Sequence, residues 1–199
     1  MAQLRAVKDG DQPVLYEICL RTGNLGDDAS PLYRDPELLG HIYVGPYLLL
    51  ARASCLVLED SEGIAGYVVG TSNTIAFESA CAERWWPPLQ QRYPLPQCED
   101  TSLDAVRLRQ IHAPLRTLPA LSARYSAHLH INILPRLQGR GFGRQLIDCF
   151  RASVAEQGAT GLHLVAAMQN RRALAFYNRY GFQELGRTQE AVAFGIATA

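Results

Sequence analysis

Residues 127–158 constrain the fold most tightly: an alternating segment, a turn with three glycines and a helical stripe follow one another without a break. Ala127, Leu129, Ile131 and Ile133 alternate with His128, His130 and Asn132, the period-two pattern of a strand with unlike faces. Pro135 leads into Gln138-Gly139-Arg140-Gly141-Phe142-Gly143, and Phe142, Leu146, Phe150 and Val154 then recur every four residues. This spacing predicts a strand over 127–134 and a helix over 141–158. Such a turn leaves the first N–H groups of the helix unpaired and turns its dipole toward an anion. Glycines at 139, 141 and 143 let the backbone approach a phosphate without an intervening Cβ. Arg136, Arg140 and Arg144 add positive charge around it. A polyphosphate ligand is expected; a plain helix-entry turn is the bland alternative.

After this unit, 162–166 reads as a second strand, 171–180 as a second helix, and 185–187 with 191–196 as a closing pair of strands. Before it, a strand over 3–7 precedes a helix capped by Asp11 with Pro13 in its first turn and Val14, Leu15, Ile18 and Cys19 as its apolar stripe. Residues 36–50 carry another helix or two. The runs 55–59 and 64–71, joined by Asp60-Ser61-Glu62-Gly63, form a hairpin. Residues 72–125 are the least regular stretch, holding Trp85-Trp86-Pro87-Pro88, Pro94, Pro96, Pro114 and Pro119, with helical patches near 79–84 and 102–111. A proline-rich stretch of this length reads as a substrate-shaping insertion, so one domain over 1–199 is expected.

Lys+Arg and Asp+Glu both total 19, giving zero formal net charge, which argues against nucleic acid as a partner. The 48% hydrophobic composition suits a folded chain. Cys19, Cys55, Cys81, Cys98 and Cys149 form no C-x-x-C pair, so neither a metal site nor a disulfide framework is expected, and a reducing cytoplasm fits best. The first eight residues lack an apolar signal core, and the greasy run 43–51 is broken by Gly45 and Pro46 and too short to span a bilayer. No membrane partner is expected.

Two familiar phosphate loops do not match. A P-loop ends Gly-Lys-Ser/Thr, whereas Gly143 is followed by Arg144-Gln145; a dinucleotide fingerprint needs its third glycine one residue later and an acid after the next strand, which ends Val165-Ala166-Ala167-Met168. The spacing Gln-x-x-Gly-x-Gly after a strand instead resembles the coenzyme A loop of the GNAT acetyltransferase superfamily. Asn170-Arg171-Arg172-Ala173-Leu174-Ala175-Phe176-Tyr177-Asn178-Arg179-Tyr180-Gly181-Phe182 resembles that superfamily's following motif. Residues 14–19, 55–67 and 86–93 are similar to the acetyltransferase-like C-terminal domain of O-GlcNAcase, a pseudo-acetyltransferase in animals with a degraded glycine turn. Here the turn is intact, which implies a stand-alone relative that still binds acetyl-CoA.

The resemblance implies an α/β fold with a mixed, mostly antiparallel sheet of six to seven strands, splayed in the middle and flanked by helices on both faces. It implies a coenzyme site made of Ile131, Ile133, Leu134, Gln138, Gly139, Arg140, Gly141, Phe142, Gly143, Arg144, Asn170, Phe176 and Tyr177. Splayed strands leave backbone groups for pantetheine, and N–H groups near Ile131 and Ile133 would polarise the thioester carbonyl. Tyr177 takes the family's acid position. The family's base position falls on Ala127, so His128 and His130 are the candidate bases; a β-bulge would bring one into place, and a buried structural pair is the rival reading. An acetyl-CoA-dependent N-acetyltransferase acting on a primary amine, small molecule or peptide lysine, is the leading expectation. A domain that binds acetyl-CoA or a protein without turnover is the alternative. Arg171 and Arg172 suit either an anion or solvent, and Trp85 and Trp86 are expected on the acceptor side.

Overall fold

Apolar and β-branched runs in the first third of the chain build one half of a sheet, and the computed structural model, which describes residues 2–198, shows how the rest is added. In chain order the elements are β1 (Gln3–Ala6), α1 (Gln12–Arg21), α2 (Leu38–Tyr43), α3 (Gly45–Leu50), β2 (Leu56–Asp60) and β3 (Gly63–Thr71). They continue with α4 (Thr74–Arg84), α5 (Trp86–Arg92), α6 (Leu103–His112), α7 (Pro119–Arg124), β4 (Ala127–Ile133) and α8 (Phe142–Glu156). The chain ends with β5 (Gly161–Ala167), α9 (Arg171–Tyr180), β6 (Gln183–Arg187) and β7 (Ala191–Ala197). The strands form a 7-stranded sheet in the order β1-β2-β3-β4-β5-β7-β6. Among the described residues only β4 and β5 run parallel, so the fold is mixed α/β and mostly antiparallel, as expected.

Each face of the sheet has its own core. Leu146, Ile147, Phe150 and Val154 of α8 are fully buried against Ala65, Val68, Leu129 and Leu164; each such side chain contributes about 2 kcal/mol by leaving water. On the other face Leu15, Ile18, Val44 and Tyr47 pack on Val57, Tyr67 and Val69. The two faces of β4 divide between these cores: Ala127 and Leu129 look to α8, and His128 and His130 to the side of α3 and α4, where they meet Tyr47 and Phe77.

Three expectations are corrected. Residues 72–125 are more regular than expected. Besides the two helical patches foreseen, within α4 and α6, they form α5 and α7, because Pro87, Pro88 and Pro119 fall in first turns, where a missing N–H costs nothing. Pro94, Pro96 and Pro114 lie in the irregular stretches between helices. Asp11 precedes α1 but does not cap it by its side chain. Its carboxylate accepts from the Arg5 guanidinium at 2.7 Å and from the Lys8 N–H at 2.7 Å, and the ion pair is the stronger use of that charge. Finally, β4 has no bulge: its pairing with β3 is continuous from Thr71↔His128 to Gly66↔Ile133, so no residue changes face. Among the described residues no helix is long and apolar enough to cross a membrane.

Candidate functional site

Pairing between β4 and β5 stops early. Only Ala127↔Leu162 and His128↔His163 are in register, after which the strands part. The Leu134 N–H donates to the Ala65 carbonyl at 2.7 Å, so alternate residues of β4 bond β3, and the N–H groups of Ile131 and Ile133 point into the gap. That gap opens a cavity of about 920 Å³, lined by Ile131, Ile133, Gly139, Gly141, Gly143 and the inner side of α9. Buried amides without partners are costly; an extended amide-bearing ligand lying in the gap would satisfy them.

The glycine turn forms one end of this cavity. Gly139 (φ +70°) and Gly141 (φ +84°) hold left-handed conformations that other residues adopt only with strain. Gly141 sits at the N-cap of α8, whose first turn carries no acid. None of the backbone N–H groups from Gly139 to Arg144 has a hydrogen-bond partner among the described residues. Converging free amides at a helix start, with room in front of them, fit a pyrophosphate. Arg144, Arg171, Arg172 and Arg179 also line the cavity. Arg144 lies over the Tyr180 ring, 4.9 Å from its centroid.

Several expected ligands have other work. Arg136 does not face the turn: its guanidinium bonds Asp60 at 3.1 Å and the carbonyls of Gly63 and Ile64, pinning the β2–β3 hairpin. Leu134 is buried in the opposite core and its N–H is taken by Ala65. The Phe142 side chain packs into the α8 core, leaving only its backbone for a ligand, and Arg140 does not line the cavity. Gln138 is a strut, with Nε2 donating to the Ile133 carbonyl at 2.7 Å and Oε1 accepting from Arg172. Asn170 caps α9, its side chain accepting from the Ala173 N–H at 3.0 Å. Phe176 and Tyr177 do line the cavity. The Tyr177 hydroxyl has no hydrogen-bond partner among the described residues, and burial pushes its pKa up to about 12. It is a phenol that stays protonated and has a proton to donate.

The opposite face of the splay holds a second cavity of about 920 Å³, walled by Tyr43, Tyr47, Phe77 and Trp86 and roofed by residues 114–125. Leu129, His130, Leu164 and Val165 line both cavities, so the two meet at the parting strands. Here the histidines separate. His128 is fully engaged: the Tyr47 hydroxyl lies 2.7 Å from Nε2 and Thr74 Oγ1 lies 2.8 Å from Nδ1. Thr74 Oγ1 gives its only proton to the Ser126 carbonyl at 2.7 Å. It must therefore accept from Nδ1–H, which makes Nε2 the acceptor of the Tyr47 proton. His130 makes no hydrogen bond among the described residues; burial lowers its pKa to about 4, so the ring is neutral at pH 7. Ala127 is fully buried in the α8 core. Trp85 turns away from this cavity and donates from Nε1 to the His41 carbonyl at 2.9 Å.

Sequence reasoning missed Thr22, Leu25, Gly26 and Arg179 in the cavity beside the glycine turn, and Tyr43, Tyr47, Phe77 and Glu78 in the other. Loop position hid Thr22, Leu25 and Gly26, whereas Arg179 lies on α9 within the motif already singled out. A signal existed for part of the second group, since Thr74, Phe77, Glu78 and Cys81 fall at i, i+3, i+4 and i+7 of α4.

A sheet splayed between two parallel strands, a glycine turn feeding a helix, and one cavity on each side of the splay define the class: the chain belongs to the GNAT acetyltransferase superfamily. The acetyltransferase (GNAT) domain profile matches residues 111–184. Among particular relatives, the crystal structure of SsHAT is 36% identical, with a TM-score of 0.93 over 100% of this chain and 98% of that one. Protein O-GlcNAcase of Rattus norvegicus is 26% identical over 183 residues, a match that takes in 90% of this chain and 20% of the relative; the chain thus spans 20% of that protein's length. The structure of yncA from Salmonella typhimurium with its cofactor acetyl-CoA shares the fold at 13% identity and a TM-score of 0.57, covering 100% of this chain and 94% of that one.

Proposed function

We propose that this protein transfers an acetyl group from acetyl-CoA to a primary amine by direct attack, as a single domain over 1–199 working in a reducing cytoplasm. One observation carries the reading: the cavity with unpaired backbone N–H groups and the aromatic cavity meet at Leu129, His130, Leu164 and Val165. Bound acetyl-CoA supplies an activated acetyl thioester. Gly139 to Arg144 would hold its pyrophosphate by their backbone N–H groups, and the Ile131 and Ile133 N–H groups would bind pantetheine and polarise the thioester carbonyl. The ammonium loses its first proton to solvent. His130, neutral, without a hydrogen-bond partner among the described residues and at the junction, takes the far more acidic proton that the nitrogen sheds on becoming an amide. The amine nitrogen forms its bond to the acetyl carbon and sheds its surplus proton to His130, and the carbon–sulfur bond breaks. Tyr177 donates its proton to the departing sulfur and regains one from solvent as His130 releases its own. A thiol pKa of roughly 8.5 makes the thiolate a fair leaving group, so a weak acid suffices.

Ala127 supports the rival, a domain that binds acetyl-CoA without turnover, because no carboxylate stands at the family's base position. Titration with acetyl-CoA by calorimetry, with Gly141→Asp and Gly143→Asp as controls, followed by an amine screen for released thiol, decides between them. Saturable binding lost in both controls together with amine-dependent thiol release upholds the enzyme; binding without release leaves the acetyl-CoA-binding rival; a folded protein that does not bind refutes both and leaves a domain that works through protein partners.

A further inference from the structure

The acceptor-side cavity has an uneven charge distribution. Its walls are aromatic and apolar, with Tyr47 stacked on Phe77 at a centroid distance of 4.5 Å and Tyr43 edge-on to His130 at 5.3 Å. Burial depresses His128, His130 and His163, so all three rings facing the interior are neutral at pH 7. Glu78 is the single carboxylate among the described lining residues. It is 18% exposed, its Oε1 accepts from the Thr117 N–H at 2.9 Å, and Oε2 stands 3.9 Å from Arg116. Arg116, Arg124 and Arg187 are exposed at the rim, and Leu115 and Leu118, 81% and 73% exposed, carry the apolar surface outward.

We propose that the acceptor is a primary amine with one positive charge on an apolar, preferably aromatic, body, and that Glu78 is the specificity-determining residue that draws its ammonium in. This rests on the transferase reading for the identity of the cavity. An ammonium leaves water for such a cavity only where a counter-charge awaits it, and one carboxylate matches one ammonium. The faces of Tyr43, Tyr47, Phe77 and Trp86 attract both the cation and an aromatic body. Arg187 is paired with Glu184 and Arg116 faces Glu78, so a second cation on the acceptor would meet the charge of Arg124, where like charges repel. Polyamines and strongly basic peptides are therefore excluded, while a hydrophobic monoamine meets favourable surface from mouth to junction.

The test compares 2-phenylethylamine, spermidine and the uncharged 2-phenylethanol by calorimetry on wild-type protein and Glu78→Gln, each with coenzyme A present. The expected result is tighter binding of 2-phenylethylamine than of spermidine, and a loss of about tenfold or more for 2-phenylethylamine in E78Q, the scale of one charge-assisted contact. Binding of 2-phenylethanol should change by less than about twofold on the same argument. Unaltered acetyl-CoA affinity in the variant shows that it is folded. Spermidine binding as tightly as 2-phenylethylamine, or 2-phenylethylamine binding that ignores the substitution, overturns the inference. Thiol release in the presence of acetyl-CoA separates it from the transferase reading. Glu78-dependent binding of 2-phenylethylamine without acetylation upholds Glu78 as the residue that selects the amine and sinks the transferase reading, whereas preferential acetylation of spermidine upholds the transferase reading and overturns the inference.

Discussion

Replacing each β4 histidine by phenylalanine should produce opposite phenotypes. In His128→Phe the Tyr47 hydroxyl loses its acceptor at 2.7 Å, and Tyr47 is only 4% exposed. A buried hydroxyl without a partner costs about 1–3 kcal/mol. Thr74 Oγ1 keeps its bond to the Ser126 carbonyl but loses the Nδ1–H donor at 2.8 Å, a further loss of about 1 kcal/mol. The sum, about 2–4 kcal/mol, should lower Tm by roughly 5–12 °C in a chain of this size. His130→Phe removes no hydrogen bond and places another ring beside Tyr43 and Tyr47, so stability at pH 7 should stay within about 1 kcal/mol. Turnover should fall by about 100-fold, the lower range for a lost general base, while acetyl-CoA affinity holds. Denaturant unfolding and initial rates of thiol release measure both quantities on the same preparations. A destabilised His130→Phe that retains turnover, beside a stable His128→Phe that loses it, would refute the assignment.

Four further outcomes are expected. Tyr177→Phe should reduce kcat by about tenfold or more with the KM for acetyl-CoA unchanged, read by steady-state kinetics; an unchanged kcat removes Tyr177 as the acid. Stability should fall in acid. The folded pKa of His130 is lowered from 6.5 to about 4, so between those values the unfolded chain binds the extra proton. The native state then loses about 1–2 kcal/mol between pH 7 and pH 5, seen as a drop in denaturant midpoint that His130→Phe reduces. Gly141→Ala meets no steric obstacle, yet its φ of +84° should cost about 1–2 kcal/mol of stability and weaken acetyl-CoA binding, measured by thermal melting and calorimetry. Arg136→Ala should leave acetyl-CoA affinity unchanged because Arg136 serves Asp60, whereas Arg144→Ala should weaken it several-fold and reduce its salt dependence; calorimetry at two salt concentrations compares them.

What the sequence by itself determined is local and periodic. The two-residue alternation at 127–133 marked β4, the four-residue spacing from Phe142 marked α8, and three glycines between them marked the turn, since each pattern follows from backbone geometry within a few residues. The motif around Asn170 and Tyr177 marked α9, and the splay followed from the family's pattern. Tertiary structure alone decided what each polar group does, because a hydrogen bond is made by whichever partner the fold brings within about 3 Å. Arg136 looks like a phosphate ligand until Asp60, 76 residues away in sequence, takes it. His128 and His130 are indistinguishable as alternating letters. They separate only when α3 and α4 bring Tyr47 and Thr74 to one and leave the other open to both cavities. Glu78 acquires its place in the same way, as the single carboxylate among the described lining residues of its cavity, beside the Thr117 N–H and Arg116 that the fold brings to it.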